Sequence, residues 1–172
     1  MRLIVHPESQ AGGVESLGGT VSRFGTTIRF HYMLAGDVGR IVSPPPARPR
    51  RADGLWQTTC FEAFIRSDGE AYVELNFSPS SEWAAYQFDS PREGMRPLDL
   101  AAEPDLSVHH SSDLLILSAL VRLPAKFSRS GAPLGLAAVI EEQSGTKSYW
   151  ALGHPPGAPD FHHPDCFVVQ LP

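Results

Sequence analysis

From residue 14 onward, apolar and polar positions alternate in short runs separated by Gly, Pro, Ser and Asp. A period of two marks a strand with one face buried, and runs this short with turn residues between them point to an all-β architecture. Ten strands are predicted, over residues 14–23, 27–34, 60–66, 71–77, 84–88, 106–110, 114–122, 134–142, 149–152 and 166–171. Phe24-Gly25, Ser67-Asp68-Gly69-Glu70 and the stretch 143–147 carry the turn chemistry of hairpins, so the strands they join are expected to be antiparallel neighbours. Helical periodicity is almost absent and no crossover helix can be drawn, which disfavours a doubly wound sheet. The expectation is a single domain over residues 1–172, an antiparallel two-sheet β-sandwich with little helix.

The ordinary pattern breaks at LWQTTCFEAFI (55–65) and AYVELNFSPSSEWAAYQF (71–88). In the first strand Phe61, Ala63 and Ile65 share one face and Cys60, Glu62 and Phe64 the other. In the second, Ala71, Val73, Leu75 and Phe77 oppose Tyr72, Glu74, Asn76 and Ser78. The first set in each strand reads as core. On the second face the hairpin brings Glu62 near Glu74 and Asn76, beside the rings of Phe64 and Tyr72, with Trp56 entering from the preceding loop and Trp83 following. Flat rings stack on the apolar face of a sugar while carboxylates and amides take its hydroxyls, so this set suits a saccharide or another polar ligand. The same residues are also what the solvated side of an antiparallel sheet carries, with the rings as cross-strand pairs. Paired carboxylates raise a further alternative, a glycoside hydrolase, whose two acids stand about 5 Å or about 6.5–9.5 Å apart. No catalytic signature accompanies them, and a non-enzymatic role is expected.

Composition narrows the classes. Gly and Pro, at 15 and 16 residues of 172, fit a turn-rich β-protein. Hydrophobic residues at 42% and charged residues at 19% are globular values, and a net charge of −5 argues against nucleic acid or an anionic membrane as partner. The N-terminal MRLIVHPESQAGG has too short an apolar run for a secretory signal, and no window approaches the roughly 18 apolar residues of a membrane span. A soluble, cytoplasmic chain is therefore expected, with Cys60 and Cys166 reduced and serving as small buried hydrophobes.

Two segments stand apart. SPPPARPRRADG (43–54) reads as a long polyproline-like loop, either solvated between strands or, in an interaction module, a recognition segment. WALGHPPGAPDFHHPDC (150–166) gathers His154, Asp160, His162, His163, Asp165 and Cys166, donors enough for a metal. Their spacing matches no zinc-finger or HExxH pattern, so a Pro-ordered loop is the plainer reading and a metal site on His154, His162, His163 and Asp165 the alternative. Walker A, GxGxxG, GxSxG and CxxC motifs are absent.

Three blocks, LWQTTCFEAFI, YVELNFSPSSEWAAYQFDSPREGM and SYWALGHPPGAPDFHHPDCF, resemble the DOMON-like domains, relatives of the family 9 carbohydrate-binding modules, and within them a small bacterial cytoplasmic-type group. The resemblance runs from about residue 55 to the end. It implies a β-sandwich whose ligand sits on the concave face of one sheet, where the wider superfamily holds sugars or, in some members, haem. It implies stacking by Trp56 ahead of the acidic strand of Glu62, polar contact from Asn76, and a second ring from Tyr149 or Trp150. Haem-binding members use Met and His as axial ligands, a role for which Met33 or Met95 with His154 would stand here. The expectation is a non-catalytic domain, without a cofactor, that binds a carbohydrate-like or other small polar ligand. Its ligand-binding residues are expected among Trp56, Glu62, Tyr72, Glu74, Asn76, Trp83, Tyr149, Trp150, His154 and Asp160. A metal- or haem-binding domain and a protein-interaction module are the alternatives.

Overall fold

A computed structural model of the chain describes residues 1–45 and 48–172. Among these residues the N-terminal part forms β1 (Arg2–Val5), β2 (Val14–Phe24), β3 (Thr27–Gly36) and the two-residue β4 (Arg50–Arg51). There follow β5 (Cys60–Arg66), β6 (Tyr72–Phe77), β7 (Glu82–Phe88), the short β8 (Arg96–Pro97), β9 (Asp105–His110) and β10 (Leu114–Arg122). β11 (Pro133–Glu141), β12 (Lys147–Ala151) and β13 (Val169–Gln170) complete the set. The only helical elements described are short 3-10 turns, so the all-β expectation holds.

The strands form one sheet, in the order β4-β7-β6-β5-β11-β12-β1-β2-β3-β10-β9, with β8 beside β7 and β13 beside β11. β4 runs parallel to β7, which makes the sheet mixed. The sequence pattern predicts two separate sheets, and β1 is the reason for the difference. It pairs on one side with β12 (Ile4 with Ala151) and on the other with β2 (Leu3 with Leu17), joining the two halves through a single strand. The sheet then curls so that the halves face each other across the main core. The Tyr32 and Phe61 rings lie 5.1 Å apart across it and those of Phe30 and Phe77 5.8 Å apart. Tyr32 buries its hydroxyl by donating to the Glu62 carbonyl at 2.6 Å.

Alternation explains this core. Ile28, Phe30, Tyr32 and Leu34 of β3 and Leu115, Leu117, Ala119 and Val121 of β10 point inward from one half. Phe61, Ala63 and Ile65 of β5, Val73, Leu75 and Phe77 of β6 and the even-numbered residues of β11 meet them from the other. Each large side chain so buried contributes about 1.5–3 kcal/mol.

The second face of β5, β6, β7, β11 and β12 is not the solvated side that one reading of the sequence allows. Cys60, Phe64, Tyr72, Tyr86, Phe88 and Val139 are buried there with Leu55 and Phe161 in a smaller apolar cluster. The chain after β12 crosses this face, and Phe161 and Phe167 pack on Phe64 at 6.4 and 6.3 Å. Gly135 of β11 makes the crossing possible, because a Cβ there would stand 2.7 Å from the Cys166 carbonyl. The Pro/Arg-rich stretch is also more ordered than a free loop. Arg50 and Arg51 pair with Glu82 and Trp83 of β7, and the Ala52 N–H donates to the Trp83 carbonyl. Pro46 and Ala47, in the middle of the candidate recognition run, lie outside the described residues. No helix among the described residues is long and apolar enough to cross a membrane.

Candidate functional site

The curled sheet and its C-terminal covering segment enclose a cavity of about 330 Å³. That is the low end of small-molecule sites, which run from about 300 to 1,000 Å³. Its floor is polar and its walls are aromatic. Glu62 of β5 and Glu74 of β6 lie at its base, while Trp56, Tyr149, Phe161 and Phe88 supply rings and Arg92, Met95 and His162 close one side.

The register explains the floor. Glu62 pairs with Asn76 and Phe64 with Glu74, which sets the two carboxylates diagonally on one face. Both are almost wholly withdrawn from solvent, at 3% and 5% exposure. Glu74 accepts a hydrogen bond from the Asn76 amide at 2.7 Å, and Asn76 takes the Cys60 thiol at 3.6 Å. Glu62 is less well served: among the described residues its Oε1 has no hydrogen-bond partner. Burial and then the charge of Glu74 push the Glu62 carboxyl well above the usual carboxylate range. Burial raises Glu74 as well, against the opposing pull of the Asn76 amide and of Arg92. Burial therefore works against holding both carboxyl groups ionised in the empty floor.

A chain of hydrogen bonds holds the side wall. The Arg92 N–H donates to the Tyr72 hydroxyl at 3.1 Å, and that hydroxyl is 2.7 Å from His162 Nδ1. The direction of that second bond follows the imidazole tautomer, and the other ring nitrogen, Nε2, stands 3.8 Å from Glu74 Oε2. Burial, with Arg92 nearby, pushes His162 down to about 4, so it is neutral at pH 7. Asp160 organises the corner, its Oδ1 accepting from the His162 N–H at 3.1 Å and from Arg92 Nη2 at 2.8 Å. Arg92 adopts a φ of 62°, a left-handed backbone that side chains enter at a cost, and its amide and guanidinium are both engaged there.

At the rim, Trp56 is 39% exposed and meets the Tyr86 ring edge-on at 5.9 Å. The Tyr86 hydroxyl donates to Asp53 at 2.6 Å, and Arg51 lies over the same ring. The rim is thus built from the end of the Pro/Arg-rich stretch.

The fold has a counterpart among solved structures. A crystal structure at 2.70 Å of a Bacteroides uniformis ATCC 8492 protein proposed to bind carbohydrate aligns with a TM-score of 0.56, covering 88% of this chain and 75% of that one. The identity is 16%, so the likeness is one of fold. No family model matches the chain, and no curated protein does.

Of the residues singled out in the sequence, Trp56, Glu62, Glu74 and Tyr149 line the cavity. Tyr72, Asn76 and Asp160 stand behind its wall and hold Glu74, His162 and Arg92. Trp83 and Trp150 do not face it. They occupy the opposite side of their strands, in the main core, where the Trp150 indole N–H donates to Ser148 Oγ at 2.9 Å. The period of two decides this, since Tyr149 and Trp150 must point to opposite faces. His154 Nε2 binds the Ile4 carbonyl at 2.9 Å and its ring meets His6 edge-on at 4.9 Å.

The suggested metal set does not assemble. No group of three or more His, Cys, Asp or Glu able to hold a metal occurs among the described residues. His162 is taken by Tyr72, His154 by Ile4, and His163 Nδ1 accepts the Asp165 N–H at 3.2 Å. Nor do the suggested haem ligands converge: Met33 is exposed on the outer face of β3, and Met95 lines a cavity whose histidine is His162, not His154. Arg92, Phe88 and Phe161 join the site without having been among its expected residues, and Met95, expected only as a haem ligand, lines it as well. Phe161 carries a signal, an apolar ring isolated in the polar run PDFHHPD, which a solvated loop has no reason to keep.

Proposed function

We propose that this chain is a non-catalytic binding domain of DOMON-like type, taking a small carbohydrate-like ligand in the cavity between Trp56, Glu62, Glu74 and Tyr149. One observation carries the reading: a ring-walled cavity has at its floor a buried carboxylate with an unpartnered oxygen. A buried acceptor without a donor costs about 1–3 kcal/mol, and the Glu62 carboxyl, which lines the cavity and takes no side-chain hydrogen bond from the described residues, is the group to which a ligand hydroxyl or amine would donate. Trp56 and Tyr149 line the cavity, and aromatic rings are the groups on which a sugar's C–H face stacks. The fold-level likeness to a protein proposed to bind carbohydrate supports the same class of ligand.

The test is calorimetry and tryptophan fluorescence of the chain against a panel of mono- and disaccharides. Saturable binding is expected, weakened at least tenfold in Trp56→Ala. A panel without one saturable response, and a Trp56 signal that never moves, would remove the proposal.

A further inference from the structure

We infer that the ligand carries an ammonium group, which lies on the cavity floor between Glu62 and Glu74. The inference rests on the binding role proposed above and names the chemistry of what that site takes. It starts from a count of donors. Glu62 Oε1 receives none among the described residues, and Glu74 Oε2 stands 3.8 Å from His162 Nε2, beyond hydrogen-bond reach. Glu74 Oε1 alone is served, by Asn76.

The charges are unmatched as well. Arg92, the full cation beside the cavity, gives its guanidinium to Asp160 through Nε at 3.2 Å and Nη2 at 2.8 Å. His162 is neutral at pH 7, and the other titratable groups that act on the pair, Cys60 and Tyr32 beside Glu62 and Tyr72 and Tyr86 beside Glu74, bring no positive charge. An ammonium supplies what the floor lacks, three N–H donors and one positive charge at a single atom. Trp56, Tyr149 and Phe161 line the same cavity, and aromatic rings attract a desolvated cation. A neutral sugar would bring donors but no charge to offset the burial of the two carboxyl groups.

The proton balance gives the inference its own signature. In the empty site burial holds the carboxyl pair toward its protonated form. An arriving ammonium favours the ionised form, so any proton the pair holds is driven toward the buffer, which a neutral saccharide does not do.

The experiment uses the full chain and matched ligands: glucosamine and its β-1,4-linked dimer, the corresponding glucose and N-acetylglucosamine compounds, and spermidine as an amine without a sugar. Titration at pH 7 in two buffers of different ionisation enthalpy reads affinity and proton release together. The expected result is at least tenfold preference for the amino sugars over both neutral series, with proton release, and loss of that preference in Glu62→Gln. Equal or tighter binding of the neutral sugars overturns the inference and leaves the carbohydrate role standing. Binding of spermidine alone keeps the ammonium and removes the sugar. No response to any of these compounds removes both, and the preference of the native protein for amino over neutral sugars decides the matter even if the variant fails to fold.

Discussion

The hydroxyl of Tyr72 lies 2.7 Å from Nδ1 of His162, a residue 90 positions later, and this contact ties the C-terminal segment to the sheet it covers. Tyr72 is 1% exposed and its ring stacks on Phe88 at 4.7 Å, so the ring stays in place if the hydroxyl is removed. Tyr72→Phe would leave the Arg92 N–H and His162 Nδ1 without their partner. The expected cost is about 1–3 kcal/mol in urea denaturation. Hydrogen exchange should also quicken selectively over residues 160–167. Uniform quickening across the chain would show that the contact is not a local latch.

The same histidine sets the acid limb of the stability curve. His162 falls to about 4 in the fold against 6.5 for an ordinary histidine. Between those values the unfolded chain binds a proton that the folded chain refuses, so stability is full above about 6.5 and falls as pH drops toward 4. For a side chain only 16% exposed the loss reaches about 3 kcal/mol at most. Denaturation midpoints at pH 7 and pH 4.5 should show the drop, and His162→Gln should flatten it.

Glu62 works in the opposite direction. Its carboxyl is held above the usual range, so the folded chain keeps a proton that the unfolded chain sheds above about 4.5. Stability from this group is lost as pH rises through its folded value. Glu62→Gln should therefore be more stable than the native chain at pH 8, by about 1–3 kcal/mol, the cost of a buried polar group without a partner. The difference should close by pH 4.5. A variant less stable than the native chain at pH 8 would show that Glu62 is not frustrated in the empty fold.

The three tryptophans separate binding from folding. Trp83 and Trp150 are 6% and 5% exposed in the main core, whereas Trp56 stands at the cavity rim, 39% exposed. Trp150→Ala should cost about 3–5 kcal/mol, as large-to-small core changes do. Trp56→Ala should cost about 1 kcal/mol or less, in line with one edge-on ring contact. If Trp56→Ala unfolds the chain as readily as Trp150→Ala, the rim is part of the core and no open site exists there.

The long strands are legible in the sequence because one face of each is apolar at every second residue. The predicted spans 60–66 and 114–122 coincide with β5 and β10, and most others differ by one or two residues at an end. β1, β4 and β8 escape the pattern. Each is two to four residues long, too short to show a period, and each is held by its neighbours rather than by its own alternation. Without β1, one curled sheet reads as a pair. In the site, the alternation around Glu62, Glu74 and Asn76 places them correctly on one face, but burial of that face depends on a segment some 80 residues later that carries no strand period. Residue type groups Trp83 and Trp150 with the site; the parity of their positions puts them in the core.

Gly135 is where that covering segment and the sheet come closest. It sits opposite Phe64 in the β11–β5 register, and a Cβ added at Gly135 would stand 2.7 Å from the Cys166 carbonyl oxygen. The obstacle is backbone, which cannot rotate away as a flexible side chain could, so Gly135→Ala must displace the turn Pro164–Cys166. That turn follows closely on His162 and precedes Phe167, which packs against both Phe64 and Tyr72. The expected result is a loss of about 1–3 kcal/mol, the range for overpacking a tight site. Ligand binding should weaken with it, because Phe161 and His162 are cavity walls. Ligand titration of a Gly135→Ala protein that is still folded at low temperature checks the coupling. Unchanged affinity there would mean that the cavity does not depend on how the C-terminal segment is seated.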